Sequence, residues 1–154
     1  MSGPHHIDHM EMAFRQAEAA YARGEVPIGA VLVDPGTGEV LAADHNRVEE
    51  LHDPTAHAEM LVIRAVATGR KEKRLPFADL YVTLEPCPMC ATAMVHARVT
   101  RLVFGAWDPR QGAAGSAFDL THARALNHNL DAFGGVLADE CSAQLKGFFA
   151  RRRP

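Results

Sequence analysis

Apolar residues recur at helical spacing early in the chain: Met10, Ala13, Phe14, Ala17 and Tyr21 share one face of an amphipathic helix. Asp8 and Glu11 stand three apart like a capping box at its start, and Gly24 is placed to stop it. The pattern then changes. Residues 26–33 (VPIGAVLV) are apolar and rich in branched side chains, residues 34–38 (DPGTG) carry turn chemistry, and residues 39–43 resume an extended pattern, so the pair reads as an antiparallel hairpin. After Asp53-Pro54-Thr55, residues 56–68 are rich in helix formers and end at Gly69.

Residues 80–84 (LYVTL) form a short strand of buried type, residues 88–97 a helix, and residues 99–104 (VTRLVF) another strand. Strand, helix and strand with tight connections imply parallel pairing through a right-handed crossover. Residues 108–115 are loop-like, residues 135–137 (GVL) are candidates for a last strand, and Cys141, Leu145, Phe148 and Phe149 mark one stripe of a closing helix. These elements sum to a three-layer α/β domain with a mixed, five-stranded sheet.

With 47% apolar residues among 154, the chain can bury a core without disulfide staples, and residues 1–154 are expected to form a single domain. Three cysteines are too few, and odd in number, for a secreted disulfide framework, which points to free thiols in a reducing cytoplasm. Cys141, on the core stripe of the last helix, reads as a buried structural thiol. The opening MSGPHHIDHM has no apolar run of signal-peptide length and no membrane-spanning run follows, so a soluble, untargeted protein with no membrane partner is expected. A formal charge of −3 argues against general electrostatic coating of nucleic acid. Two basic clusters stand out locally, Arg70-Lys71-Glu72-Lys73-Arg74 and Arg151-Arg152-Arg153. Their plain reading is a solvated loop and a helix end.

The stretch LEPCPMC places Cys87 and Cys90 on one helical turn directly after a strand. A redox pair, half of a structural zinc site and part of a catalytic metal site all begin this way. A second cluster, His57-Ala58-Glu59, opens the other helix that follows a strand. Helix N-termini that follow adjacent parallel strands emerge at one sheet edge, which lets His57 meet the cysteines. Pro88 at a first-turn position costs no hydrogen bond, and the helix dipoles favour thiolates. One imidazole and two thiolates make three ligands for zinc and leave a fourth position to water, the arrangement of a catalytic site. A structural zinc would need a fourth protein ligand. His52, His96 and His122 are candidates, but none belongs to a second short-spaced pair, and a redox site would leave the HAE cluster unexplained. Zinc carrying two thiolates acidifies its water less than an all-histidine site does, so a nearby base is needed. Glu59 is placed to move that proton.

H-A-E followed by P-C-x-x-C is the signature of the zinc deaminases, in which activated water attacks the carbon bearing an exocyclic amine and ammonia leaves. The strings VPIGAVLV, HNR, HDPTAHAEM, LYVTLEPCPMC, GAWDPRQGAAGS, LNH and LADECSAQL followed by FFARRR resemble the bacterial tRNA-specific adenosine deaminases from about Val26 to Arg153. The resemblance implies a cytidine deaminase-like fold, one zinc per subunit held by His57, Cys87 and Cys90, and Glu59 as proton shuttle. It further implies a homodimer acting on a tRNA anticodon stem-loop, converting the wobble adenosine of an arginine-accepting tRNA to inosine. Asn46 matches the family's contact to the flipped nucleotide, Asp108 its contact to ribose, and Asn127 a residue near the anticodon. Arg152, in the arginine tail beside Phe148 and Phe149, is suited to phosphate contact. Trp107 departs from the pattern, standing where a smaller or basic side chain is expected. A deaminase of free guanine, cytosine or a nucleoside, and a non-enzymatic RNA-binding module stapled by zinc, are the rival readings.

Overall fold

The computed structural model describes residues 4–152; Arg153, the last of the terminal arginines, lies outside them. The elements run α1 (Pro4–Ala22), β1 (Gly29–Val33), β2 (Val40–His45), α2 (Val48–Leu51), α3 (Ala58–Arg70), β3 (Asp79–Leu84), α4 (Pro88–Ala97), β4 (Arg101–Ala106), β5 (Asp131–Phe133) and α5 (Ala138–Arg152). They build a five-stranded sheet in the order β2-β1-β3-β4-β5. The β1 strand pairs antiparallel with both β2 and β3, whereas β3–β4 and β4–β5 are parallel. The mixed sheet and the β3-α4-β4 crossover therefore agree with the sequence pattern.

Side-chain alternation divides the core into two faces. Ala30 and Leu32, Leu80 and Val82, and Leu102 and Phe104 point to the side covered by α3 and α4, where Val62, Val66, Cys90 and Met94 pack against them. Val31, Val33, Tyr81 and Val103 point to the opposite side, against Met10 and Ala13 of α1. Helix α5 joins α1 there, with Phe148 edge-on to Tyr21 at 5.4 Å between ring centroids. Every residue of β1 is buried, as a strand covered on both faces must be. Contact with α1 is close enough that a Cβ on Gly29 would meet the Ala13 carbonyl and the Ala17 nitrogen.

Several boundaries differ from the sequence expectations. Helix α1 starts at Pro4, so Asp8 lies a full turn inside it and does not cap it. The first strand starts only at Gly29, because Ile28 N donates to Val26 O in a tight turn. Gly69 sits within α3, which ends instead at Lys71 in the left-handed region (φ 57°). Residues 135–137 are not a strand: Gly135 (φ 100°) and Leu137 (φ 55°) turn the chain into α5, and the last strand is the earlier Asp131–Phe133. The four-residue α2 was not anticipated, having too little periodicity to be seen.

Candidate active site

His57 and Cys87 are the N-cap residues of α3 and α4. Both have extended backbone (ψ 151° and 170°), so their side chains leave the helix starts rather than lie along the helix. Upstream of His57, Asp53 accepts from both the backbone and the hydroxyl of Thr55 (2.8 and 2.7 Å), and Arg47 N donates to Ala56 O. These bonds pin the turn that delivers the imidazole. Pro88 occupies the first turn of α4, and Cys90 follows one turn after Cys87.

The two helix starts meet. His57 Nδ1 lies 3.4 Å from Cys90 Sγ and 3.7 Å from Cys87 Sγ, and all three potential ligand atoms fall within 4.8 Å of one another. Bonds of ~2.3 Å to sulfur and ~2.0 Å to nitrogen at a tetrahedral angle would separate S from N by ~3.5 Å, so both nitrogen–sulfur distances fit zinc. Among the described residues this is the cluster with metal-ligand geometry. The strands that deliver it are not neighbours, contrary to expectation. β2 and β3 point the same way only because β1 runs antiparallel between them, and the antiparallel pair on either side restores the shared edge.

Glu59, two residues beyond His57, is only 4% exposed. Burial pushes its carboxyl up to about 7. The Cys90 thiol donates toward Cys87, drawing Cys87 down to about 4 while Cys90 itself is pushed up. Hydrogen bonding to Cys87 raises His57 above the ordinary imidazole range. Two sulfurs and a buried carboxylate compete for protons in one small space, a donor set whose repulsion a divalent cation relieves.

A cleft of about 880 Å³ opens beside His57, with Asn46, Val48, Phe149 and Arg152 among its walls. Asn46 is buried and its Oδ1 has no protein partner, an acceptor held ready in the cleft. Arg152 stacks over Phe148 at 4.2 Å, and Phe149 stands 46% exposed beside it. The other two residues singled out for substrate contact do not line this cleft. Asp108 caps its own turn, accepting from Arg110 N and Gln111 N, and Asn127 is exposed on the loop before β5. Three buried carboxylates, Glu25, Asp79 and Glu85, escaped the sequence reading, and two of them fix the backbone around them. Glu25 accepts from Glu49 N and Glu50 N and so holds the start of α2; Glu85 gathers the loop after β4. The signal for Glu85 was its position, a charge set directly between the strand run at 80–84 and Pro86-Cys87.

A fold of this topology, with an imidazole, two thiols and a buried carboxylate gathered at one sheet edge, defines the zinc-dependent deaminases, and residues 4–106 match the cytidine and deoxycytidylate deaminase zinc-binding region. Within that class the chain belongs to the tRNA-specific adenosine deaminase family. It is 46% identical to the tRNA-specific adenosine deaminase of Bacillus subtilis over 145 residues, 94% of this chain and 89% of that protein. Against the Agrobacterium fabrum enzyme of the same name, identity is 46% over 144 residues, covering 94% and 93%. A solved structure from studies of A-to-I editing by tRNA:A34 deaminases at the wobble position of transfer RNA superimposes with a TM-score of 0.85 at 46% identity, covering 90% of this chain and 99% of that one. A guanine deaminase from Nitrosomonas europaea shares the fold alone, with a TM-score of 0.79 at 21% identity over 97% and 86% of the two chains. No helix among the described residues is long and apolar enough to cross a membrane.

Proposed function

We propose that this protein hydrolytically deaminates adenosine to inosine at the wobble position of an arginine-accepting tRNA, working in the cytoplasm as a homodimer with one zinc per subunit held by His57, Cys87 and Cys90. The observation that carries this reading is the His57/Cys87/Cys90 cluster beside buried Glu59 in a chain 46% identical, over most of its length, to tRNA-specific adenosine deaminases. When bound, the metal supplies Lewis acidity to the attacking water. The Glu59 carboxylate takes a proton from that water and returns it to the departing amine, so adenosine and water give inosine and ammonia. Asn46 Oδ1 accepts a hydrogen bond from the extruded nucleotide. Arg152, held flat on Phe148, meets a phosphate, and exposed Phe149 offers a face for a neighbouring base. Asp108 and Asn127, outside the cleft that holds Asn46, contact the ribose and the anticodon loop.

The test incubates the zinc-loaded protein with a tRNA anticodon stem-loop and, separately, with guanine, cytosine and free nucleosides. Mass-spectrometric detection of inosine in the RNA supports the reading. Ammonia released from a free base with no inosine in RNA rejects it in favour of a small-molecule deaminase, and no turnover on any substrate favours a zinc-stapled binding module. Light scattering at assay concentration tests the dimer.

A further inference from the structure

Glu85 follows directly on the last residue of β3 and is 2% exposed. Its carboxylate faces a loop rather than the thiols two residues away. Oε1 accepts from Asp108 N (3.0 Å) and from the Ser116 hydroxyl, and Oε2 accepts from Ala114 N and Ser116 N (both 3.0 Å). Backbone bonds run alongside: Glu85 N donates to Ala106 O and Ala113 N to Pro86 O, each at 2.8 Å. Residues 106–116 are thus wound around one buried anion, and the segment that winds them is the one that delivers Cys87. Gly112 completes the arrangement, since a Cβ there would run into the Glu85 carboxylate and stand 2.5 Å from Asp108 O. Its φ lies outside the left-handed region, so the carboxylate and the neighbouring carbonyl, not backbone freedom, demand glycine.

The loop so held carries Asp108 and presents Trp107, which is 55% exposed. With Arg110, Trp107 walls a groove of about 770 Å³. Phe149 and Arg152 line both this groove and the cleft beside His57, so the two depressions lie side by side and share those side chains as a wall. Four hydrogen bonds to a carboxylate with almost no solvent access are a strong fixture, because breaking them would leave the buried acceptor unsatisfied.

We propose that Glu85 is a positioning residue for RNA: its carboxylate preforms the 106–116 loop and locks it in register with the Cys87 turn, so that the groove beside the cleft is built before substrate arrives. This rests on the proposed RNA-deaminase reading. A loop held in its bound shape spares the ordering cost at binding, and a residue acting this way, away from the reacting carbon, shows itself in KM.

The test uses Glu85→Gln and Gly112→Ala in the zinc-loaded enzyme. Glutamine keeps the shape but turns an amide NH2 toward backbone N–H donors, whereas the alanine methyl displaces the carboxylate. In both variants KM for the anticodon stem-loop should rise about tenfold, equivalent to about 1.4 kcal/mol, while kcat stays within about threefold. Zinc content should remain that of the parent, and amide exchange at Ala114 and Ser116 should accelerate. Unchanged KM in both variants overturns the proposal, as does loss of zinc or of kcat at constant KM, which would place Glu85 at the metal. A lowered melting temperature with KM, kcat and loop exchange untouched also overturns it, leaving a plain structural role. Should Glu85→Gln fail to fold, Gly112→Ala decides alone. Stem-loop affinity and amide exchange need no turnover, so absence of inosine formation by the parent protein would sink the functional reading without deciding this one.

Discussion

Replacing Glu59 with glutamine removes one acid–base group and little else. The side chain is 4% exposed in the first turn of α3, and the amide is nearly the same size, so neither a cavity nor a clash is created. A buried carboxylate must be desolvated whenever it is charged, and here burial pushes it up to about 7; a neutral amide avoids that cost, so thermal stability should hold or rise. Catalysis has no such relief. Loss of a positioned general acid–base typically costs ~10²–10⁴ in rate, which at ~1.36 kcal/mol per factor of ten is ~3–5 kcal/mol of transition-state stabilisation. Single-turnover formation of inosine in an anticodon stem-loop measures the loss, with metal content and melting temperature followed on the same samples. A rate constant within about tenfold of the parent with full zinc would show that the proton travels through another group. Zinc lost from the variant would show that Glu59 holds the metal, and the assigned shuttle would be wrong.

The remaining expectations are narrower. His57→Ala removes the nitrogen donor, so metal analysis after dialysis should find much less zinc than in the parent; a full complement would mean the ligands are misassigned. Cys141 is fully buried, and burial pushes its thiol up to about 12; at pH 8 peptide mapping should find it unalkylated in the native protein and modified only after unfolding. Lys71 ends α3 in the left-handed region at φ 57° and is exposed. Lys71→Gly relieves that strain and should stabilise the fold by about 0.5–1 kcal/mol, raising the melting temperature by a few degrees, whereas a fall would show that the lysine side chain contributes more than its backbone costs.

The elements legible in the sequence were those whose pattern and packing agree. Alternation in β1, β3 and β4 is enforced by helices on both faces, so the runs at 26–33, 80–84 and 99–104 announced these strands, though β1 starts three residues later and β4 two residues later than read. The misplaced boundaries share a different cause: tertiary contact overrode a local signal. Asp8 has the residue type of a cap, yet α1 extends past it to pack along the sheet. Gly69 looks like a helix stop, but the chain continues two residues further and lets a lysine take the left-handed turn that glycine would accept at less cost. Residues 135–137 are apolar enough for a strand, and only the positive φ angles at Gly135 and Leu137 reveal a turn.

The candidate metal site was readable for a physical reason that does not extend to the substrate contacts. Each ligand is tied to a helix start by a short-range feature, the Asp53-Pro54-Thr55 turn for His57 and Pro88 for Cys87 and Cys90, so position in sequence nearly determines direction in space. What sequence could not supply was the strand order. A parallel neighbour was assumed between β2 and β3, while the structure inserts β1 antiparallel between them. The site survives because two successive antiparallel steps restore a common direction, and because β1 approaches that edge with Gly29, whose nitrogen donates to Thr83 Oγ1 at 3.2 Å. Asp108 and Asn127 lack such ties to the metal cluster. They ride on loops whose course is set by groups far away in sequence, Glu85 for one and the bond between His128 and Val99 O for the other. Residue type alone therefore marks them as turn-formers as readily as ligands for RNA, and the buried anion of Glu85, invisible to periodicity, decides where the first of them points.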